Sequence, residues 1–361
     1  MKMNKLFNVL CLISLLTFSF ISCSDDDDFE KPELPAVITG VYILNSGSGS
    51  TSLANLAYYN PETKAVTTKV FENANGISLG STGQDIIIYG SKMYIAVYGS
   101  GTIFVTDLKG KKIKSIDSEK NGQKQQPRRF TSYNGKVYVT YYDGYLAKID
   151  TTKLEVESQV AVGRNPEYVR VANNNLYVAN SGGMDYLNDQ YDTTVSIVDI
   201  STFKESKKVE VVMNPEKIEV DSQGDIYVIS NGNYGLITNV LQKIDATTNE
   251  VTKIGDATWM SMNNDKLYFI YSQYGKDDIT YGVYDAKTEK IITKNFITDG
   301  TEVKKPYCIN TDPINNNVYI GTSDYKSNGD MYIFSPEGKL IDKFDTGGVN
   351  PMGAYFVTGI K

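Results

Sequence analysis

The chain has 361 residues, with 36 Lys and Arg against 43 Asp and Glu and no His at all. A net charge of −7 argues against non-specific nucleic-acid binding, and the missing His excludes a His-based triad, a His metal site and c-type haem attachment. A hydrophobic fraction of 41% is ordinary for a folded protein, while 27 Tyr against one Trp suit pleated strands and wet recognition surfaces.

Residues 1–22 carry Lys2 and Lys5 and then an apolar run from Leu6 to Ile21, the pattern of a secretory signal rather than a structural helix. Loss of those two Lys would take the charge from −7 to −9. The junction Phe20-Ile21-Ser22-Cys23 is similar to a bacterial lipobox, with Phe in place of the usual Leu, so lipidation is expected at Cys23. Cys11 falls in the leader and Cys308 in a strand, so no intramolecular disulfide is expected; Cys308 reads as a small buried hydrophobe. Residues 23–38 read as a tether, acidic from Asp25 to Asp28 and kept extended by Pro32 and Pro35. Such an acidic run resembles the signal that sends lipoproteins to the outer face of the outer membrane in some Gram-negative bacteria.

From residue 39 to 361 two markers recur. One is a turn opened by a side-chain oxygen that accepts from backbone N–H groups ahead of it, at Asn60, Asp107, Asp150, Asp199, Asp245, Asp285 and Ser335. The other is a β-branched and aromatic strand around Tyr42, Tyr94, Tyr138, Tyr177, Tyr227, Tyr268 and Tyr319. Two independent markers, each with seven copies about 40 to 50 residues apart, predict an all-β, seven-bladed β-propeller with one four-stranded blade per repeat. The first blade starts on its second strand at Val41. The stretch Asn350 to Val357 repeats the strand starts at Asn165 and Asn214 with no blade after it, so it is expected to close the ring as the missing innermost strand.

A four-stranded blade sends its first and third turns to one face of the ring and its longer loops to the other. Short polar turns such as the one at Ala172 to Asn175 mark the first face. The loop face carries Tyr98, Tyr142, Tyr186, Tyr191, Tyr234, Tyr271, Tyr274 and Tyr325, with Arg128, Arg129, Arg164 and Trp259 in the connections. Such side chains on loops held by a rigid scaffold supply large contact area with a polar tip. Asn180 and Asn231 add neutral hydrogen-bonding groups. The loop from Ser181 to Thr194 holds Asp185, Asn188, Asp189 and Asp192, oxygen donors without the spacing of a known calcium loop, and reads as solvated; Asp277 and Asp278 are weaker still. No cofactor or metal is expected. The Gly-rich run Ser46 to Ser50 precedes no helix and reads as a flexible loop.

The runs Tyr138-Val139-Thr140-Tyr141, Tyr177-Val178-Ala179-Asn180 and Tyr227-Val228-Ile229-Ser230 resemble the YVTN-type repeats of bacterial secreted and surface propellers across residues 39 to 361. That resemblance implies a fold and no chemistry. With the leader and acidic run, the chain also resembles surface propeller lipoproteins that capture vitamin B12, which implies cobalamin as ligand and a TonB-dependent outer-membrane receptor as partner. A non-catalytic, surface-anchored binding protein is therefore expected. Two other readings stand beside it: a protein-interaction or adhesion scaffold, and a glycan hydrolase or lyase built on paired carboxylates, although no such pair stands out from the repeat.

Overall fold

The computed structural model describes residues 35–360 apart from 50, 51, 189, 274, 275 and 277; the expected leader, Cys23 and the Asp run lie outside the described residues. Among the described residues the chain forms seven four-stranded antiparallel sheets and one two-stranded ribbon. The helical segments are Val70–Asn75 and the 3-10 turn Gly183–Asn188. The innermost strands, from blade one to blade seven, are Pro351–Ile360, Gly83–Tyr89, Pro127–Tyr133, Pro166–Ala172, Pro215–Val220, Trp259–Asn263 and Pro306–Thr311. Each of them touches its two neighbours around a ring, so the fold is a seven-bladed β-propeller.

The repeat markers have clear physical roles. The opening side chain of each turn accepts backbone N–H groups, as when Asp150 Oδ1 takes those of Thr152 and Lys153 at 2.9 and 2.8 Å, and Asn60 Oδ1 those of Glu62 and Thr63 at 2.9 and 3.0 Å. Ser335 does the same more weakly, at 3.3 and 3.4 Å. Each marker Tyr lies in the apolar layer between its own blade and the next: Tyr42 between blades one and two, Tyr94 between two and three, and so on to Tyr319 between seven and one. The propeller has no single core but seven interfaces. Second strands such as Lys136–Tyr141 are buried on both faces and read as continuous apolar runs for that reason. Outermost strands such as Lys204–Glu210 are largely exposed and rich in Lys and Glu, which blunts their open edges.

Ring closure follows the expected route. Pro351–Ile360 pairs antiparallel with Ala36–Asn45, from Ala36 against Ile360 to Asn45 against Pro351, so this first strand begins five residues before Val41. Tyr59 hydroxyl also donates to Asp342 at 2.8 Å, linking blades one and seven.

Candidate functional site

Five inner strands open on a Pro, and the ladder slips after each of them, so two sequential residues face one on the partner strand. Before the Pro, Asn165, Asn214 and Asn350 take φ of 47, 61 and 59°, a conformation Asn tolerates. Their side-chain amides donate to the carbonyls of Tyr142 (2.9 Å), Gly232 (3.2 Å) and Gly47 (2.8 Å) and so hold the loops of the long-loop face against the axis. The slip re-aims the residues that follow, and these line the axial channel.

In three of these strands they include charged side chains, most of them paired. Arg128 grips Glu167 with two donors, one at 2.9 Å, while its guanidinium lies 4.5 and 5.1 Å from the ring centres of Tyr142 and Tyr98. Lys217 pairs with Glu216 at 2.9 Å and lies 4.0 Å over Trp259. Arg170 meets Glu219 at 3.2 Å. Burial raises the Glu216 carboxyl, but Lys217 and the Asn231 amide together more than offset it and bring it down to about 2. Burial outweighs Glu216 at Lys217 and lowers its pKa. These three pairs thus present bound charges rather than free ones.

Aromatic rings surround its mouth. Tyr98 and Tyr142 meet edge to face at 5.6 Å, Tyr191 and Tyr234 at 6.3 Å, and Trp259, Tyr307 and Tyr325 form a chain at 5.4 and 5.5 Å. Tyr234 is 73% exposed, whereas Tyr191 beneath it is buried. Tyr186 stands out from the 3-10 turn among Met184 and Leu187, all exposed. Burial pushes the Tyr307 hydroxyl up to about 12, so it remains a neutral donor at physiological pH.

Other expected residues hold different places. Asn180 is fully buried; its oxygen accepts Gly163 N–H at 3.0 Å and its amide donates to Thr194 and Ser196 at 3.0 and 2.8 Å, which fixes the loop from within. Asn231 is buried against Glu216 at 2.6 Å. Arg164 is half-exposed but ion-paired with Asp185 and, at 3.8 Å, with Asp192. Tyr271 is the penultimate residue of the strand Lys266–Ser272 and is half-buried. Tyr274, Asp189 and Asp277 lie outside the described residues. Among the described residues no group of three or more His, Cys, Asp or Glu is arranged to hold a metal ion.

Two hollows belong to this architecture. On the loop face between blades six and seven lies a groove of about 980 Å³, walled by Trp259, Tyr307, Tyr325, Ile279, Ile297 and Val303 and rimmed by Lys276, Lys304, Lys305, Glu302 and Asp324. A smaller cavity of about 320 Å³ lies on the axis, with Trp259 shared between the two. Tyr307, the three Lys and the channel pairs escaped the sequence reading. Their signal was the recurrent Pro followed by charged or aromatic residues, as in Pro127-Arg128-Arg129, Pro166-Glu167-Tyr168 and Pro215-Glu216-Lys217.

No family model and no curated protein matches the chain. Many solved structures share its fold. A chain of hydrazine synthase from Kuenenia stuttgartiensis aligns with a TM-score of 0.60 at 14% identity, over 78% of this chain and 89% of that one. The WD40 β-propeller domain of Doa1 aligns at 0.59 and 10% identity, over 84% and 93%. Dihydro-heme d1 dehydrogenase NirN, solved in complex with DHE, aligns at 0.57 and 10% identity, over 88% and 75%. At these identities the likenesses show the propeller and nothing of its chemistry.

Proposed function

We propose that this propeller is a non-catalytic, surface-anchored binding protein that captures cobalamin or a related corrinoid on its loop face and passes it to a TonB-dependent outer-membrane receptor. The observation that carries the reading is the aromatic groove and mouth of that face, where the channel charges at the mouth are already paired. Cobalamin is large, fringed with amides, nearly neutral and flat on its corrin faces. It calls for aromatic surface and neutral hydrogen-bonding groups, which Trp259, Tyr307, Tyr325 and Tyr234 supply. Its phosphate finds cations at the groove rim in Lys276, Lys304 and Lys305; at Arg164 it would have to displace Asp185. Exposed Met184, Leu187, Leu236 and Ile237 on neighbouring loops of this face offer an apolar patch for a partner.

Calorimetry with cyanocobalamin tests the reading. Micromolar or tighter binding is expected, with Tyr307→Ala or Tyr325→Ala each costing about 2 kcal/mol, roughly thirtyfold in affinity. Absence of binding at micromolar concentrations would leave the interaction-scaffold reading in its place. For the anchor, Cys23→Ala should abolish lipid labelling. Replacing Asp25 to Asp28 by Ala should leave a lipidated protein that protease no longer reaches on intact cells; continued shaving would reduce the run to a tether.

A further inference from the structure

The axial cavity has no part in the reading above. All seven inner strands contribute to its wall, from Met352 and Tyr355 in blade one to Ile309 and Asn310 in blade seven. Its two carboxylates are already engaged. Asp85 takes the Phe130 N–H at 2.8 Å and the Tyr355 hydroxyl at 3.0 Å, and Glu219 pairs with Arg170 at 3.2 Å. The buried Arg129, which donates to the neighbouring Gln84 carbonyl, offsets the charge of Asp85 from behind the wall. Two carboxylates thus stand against two guanidinium groups, and an ion of either sign entering the cavity would find no partner to offset it.

The neutral groups of the wall are in the opposite condition. The hydroxyls of Thr131, Ser132 and Tyr168 all line the cavity, and none of them bonds to another group among the described residues. Asn310 accepts the Ala354 N–H at 2.9 Å through its oxygen, and its NH2 is likewise without a partner among them. None of these four polar atoms is sealed into the protein, in contrast to the Tyr94 and Tyr141 hydroxyls, which are buried and unbonded. Beside them the half-buried Ile87, Trp259 and Met352 give the wall its apolar surface.

We propose that the axial cavity binds a neutral monosaccharide, a single hexose ring, through the hydroxyls of Thr131, Ser132 and Tyr168 and the amide of Asn310. A hexose carries hydroxyls around its rim and C–H groups on its faces. It matches a wall of three hydroxyls that donate or accept, one amide that donates, and apolar surface between them. The cavity of about 320 Å³ equals roughly ten waters, room for one such ring and far too little for a corrinoid. The site is independent of the groove, so either reading can fail alone.

Trp259 lines this cavity and is the only Trp in the chain, so its emission reports directly. The full chain is titrated with glucose, galactose and mannose, with sodium acetate and methylammonium chloride as charged controls and dextran, too large to enter, as the control for bulk solvent. A saturable change at millimolar concentration of at least one hexose, accompanied by a rise in melting temperature, is expected. The double variant Thr131→Val with Tyr168→Phe removes only two hydroxyls that bond to nothing in the protein, so it should melt like the parent without sugar and bind the hexose at least fivefold more weakly. Lys207→Ala on an outermost strand should leave binding unchanged. No saturable response to any of the three sugars, an equal response to either ion, or a smaller loss in the double variant, as would follow if the sugar sat in the groove, would each overturn the proposal. If the double variant does not fold, Ser132→Ala should weaken binding at least twofold, and a smaller loss there overturns it as well.

Discussion

Arg128 and Glu167 set the terms at the scale of the residue. Both side chains are nearly buried, 14% and 5% exposed, so removing one strands a charge in the channel. Arg128→Met should destabilise the protein by about 3 to 5 kcal/mol, and the double variant Arg128→Met with Glu167→Gln by clearly less, since the orphan charge is gone. Urea unfolding of the two singles and the double checks this. The turn carboxylates predict a pH effect of definite sign. Asp199, bonded by the Ser201 hydroxyl and the Thr202 N–H, is held down at about 2, and Asp150, bonded by the Lys153 and Thr152 N–H groups, is also at about 2, against an ordinary 3.8. A depressed carboxylate stabilises the fold above its unfolded pKa, and that contribution is lost as pH falls through the folded one. Melting temperature should therefore drop between about pH 4 and pH 2, and Asp199→Asn should flatten part of the drop, since Asn60 fills the same role without titrating. These turns were legible in sequence because donor and acceptor lie within four residues of each other. The channel pairs were not: Arg128 meets Glu167 only through adjacent blades and two strand slips.

At the scale of the element, blade count and closure were legible because period and strand pattern survive where residue identity does not. The start of the first strand was less so, as Ala36 to Gly40 lie before the first marker and are the more exposed half of it. The same limit applied to the site. Tyr98, Tyr142 and Tyr234 fall on the mouth as loop position suggested and Trp259 reaches it from the first residue of an inner strand rather than a connection, whereas Asn180 sits at a strand end whose polar atoms the interior consumes. Closure carries its own prediction. Deleting residues 349–361 removes the inner strand of blade one together with Tyr355 and its bond to Asp85. The loss should be several kcal/mol out of the ~5 to 15 that a domain possesses, enough to unfold the ring. A deletion variant that melts like the parent would refute a structural role for the strand.

For the whole molecule, stability resides in seven like interfaces rather than one centre, and the ends of the ring are neighbours, Ala36 lying opposite Ile360. Which blade is cut by the chain termini is then a covalent accident rather than a requirement of the architecture. A circular permutant makes this concrete: Ile360 joined to Ala36 through a short Gly linker, with new ends opened in the Ser201-Thr202 turn of blade four. It should show the same far-UV spectrum and Trp259 emission as the parent, with its cut now between the third and the outermost strand of blade four. Deleting Lys204–Glu210 would then remove only an outermost strand, so the permuted ring should tolerate losing its terminus where the natural order does not.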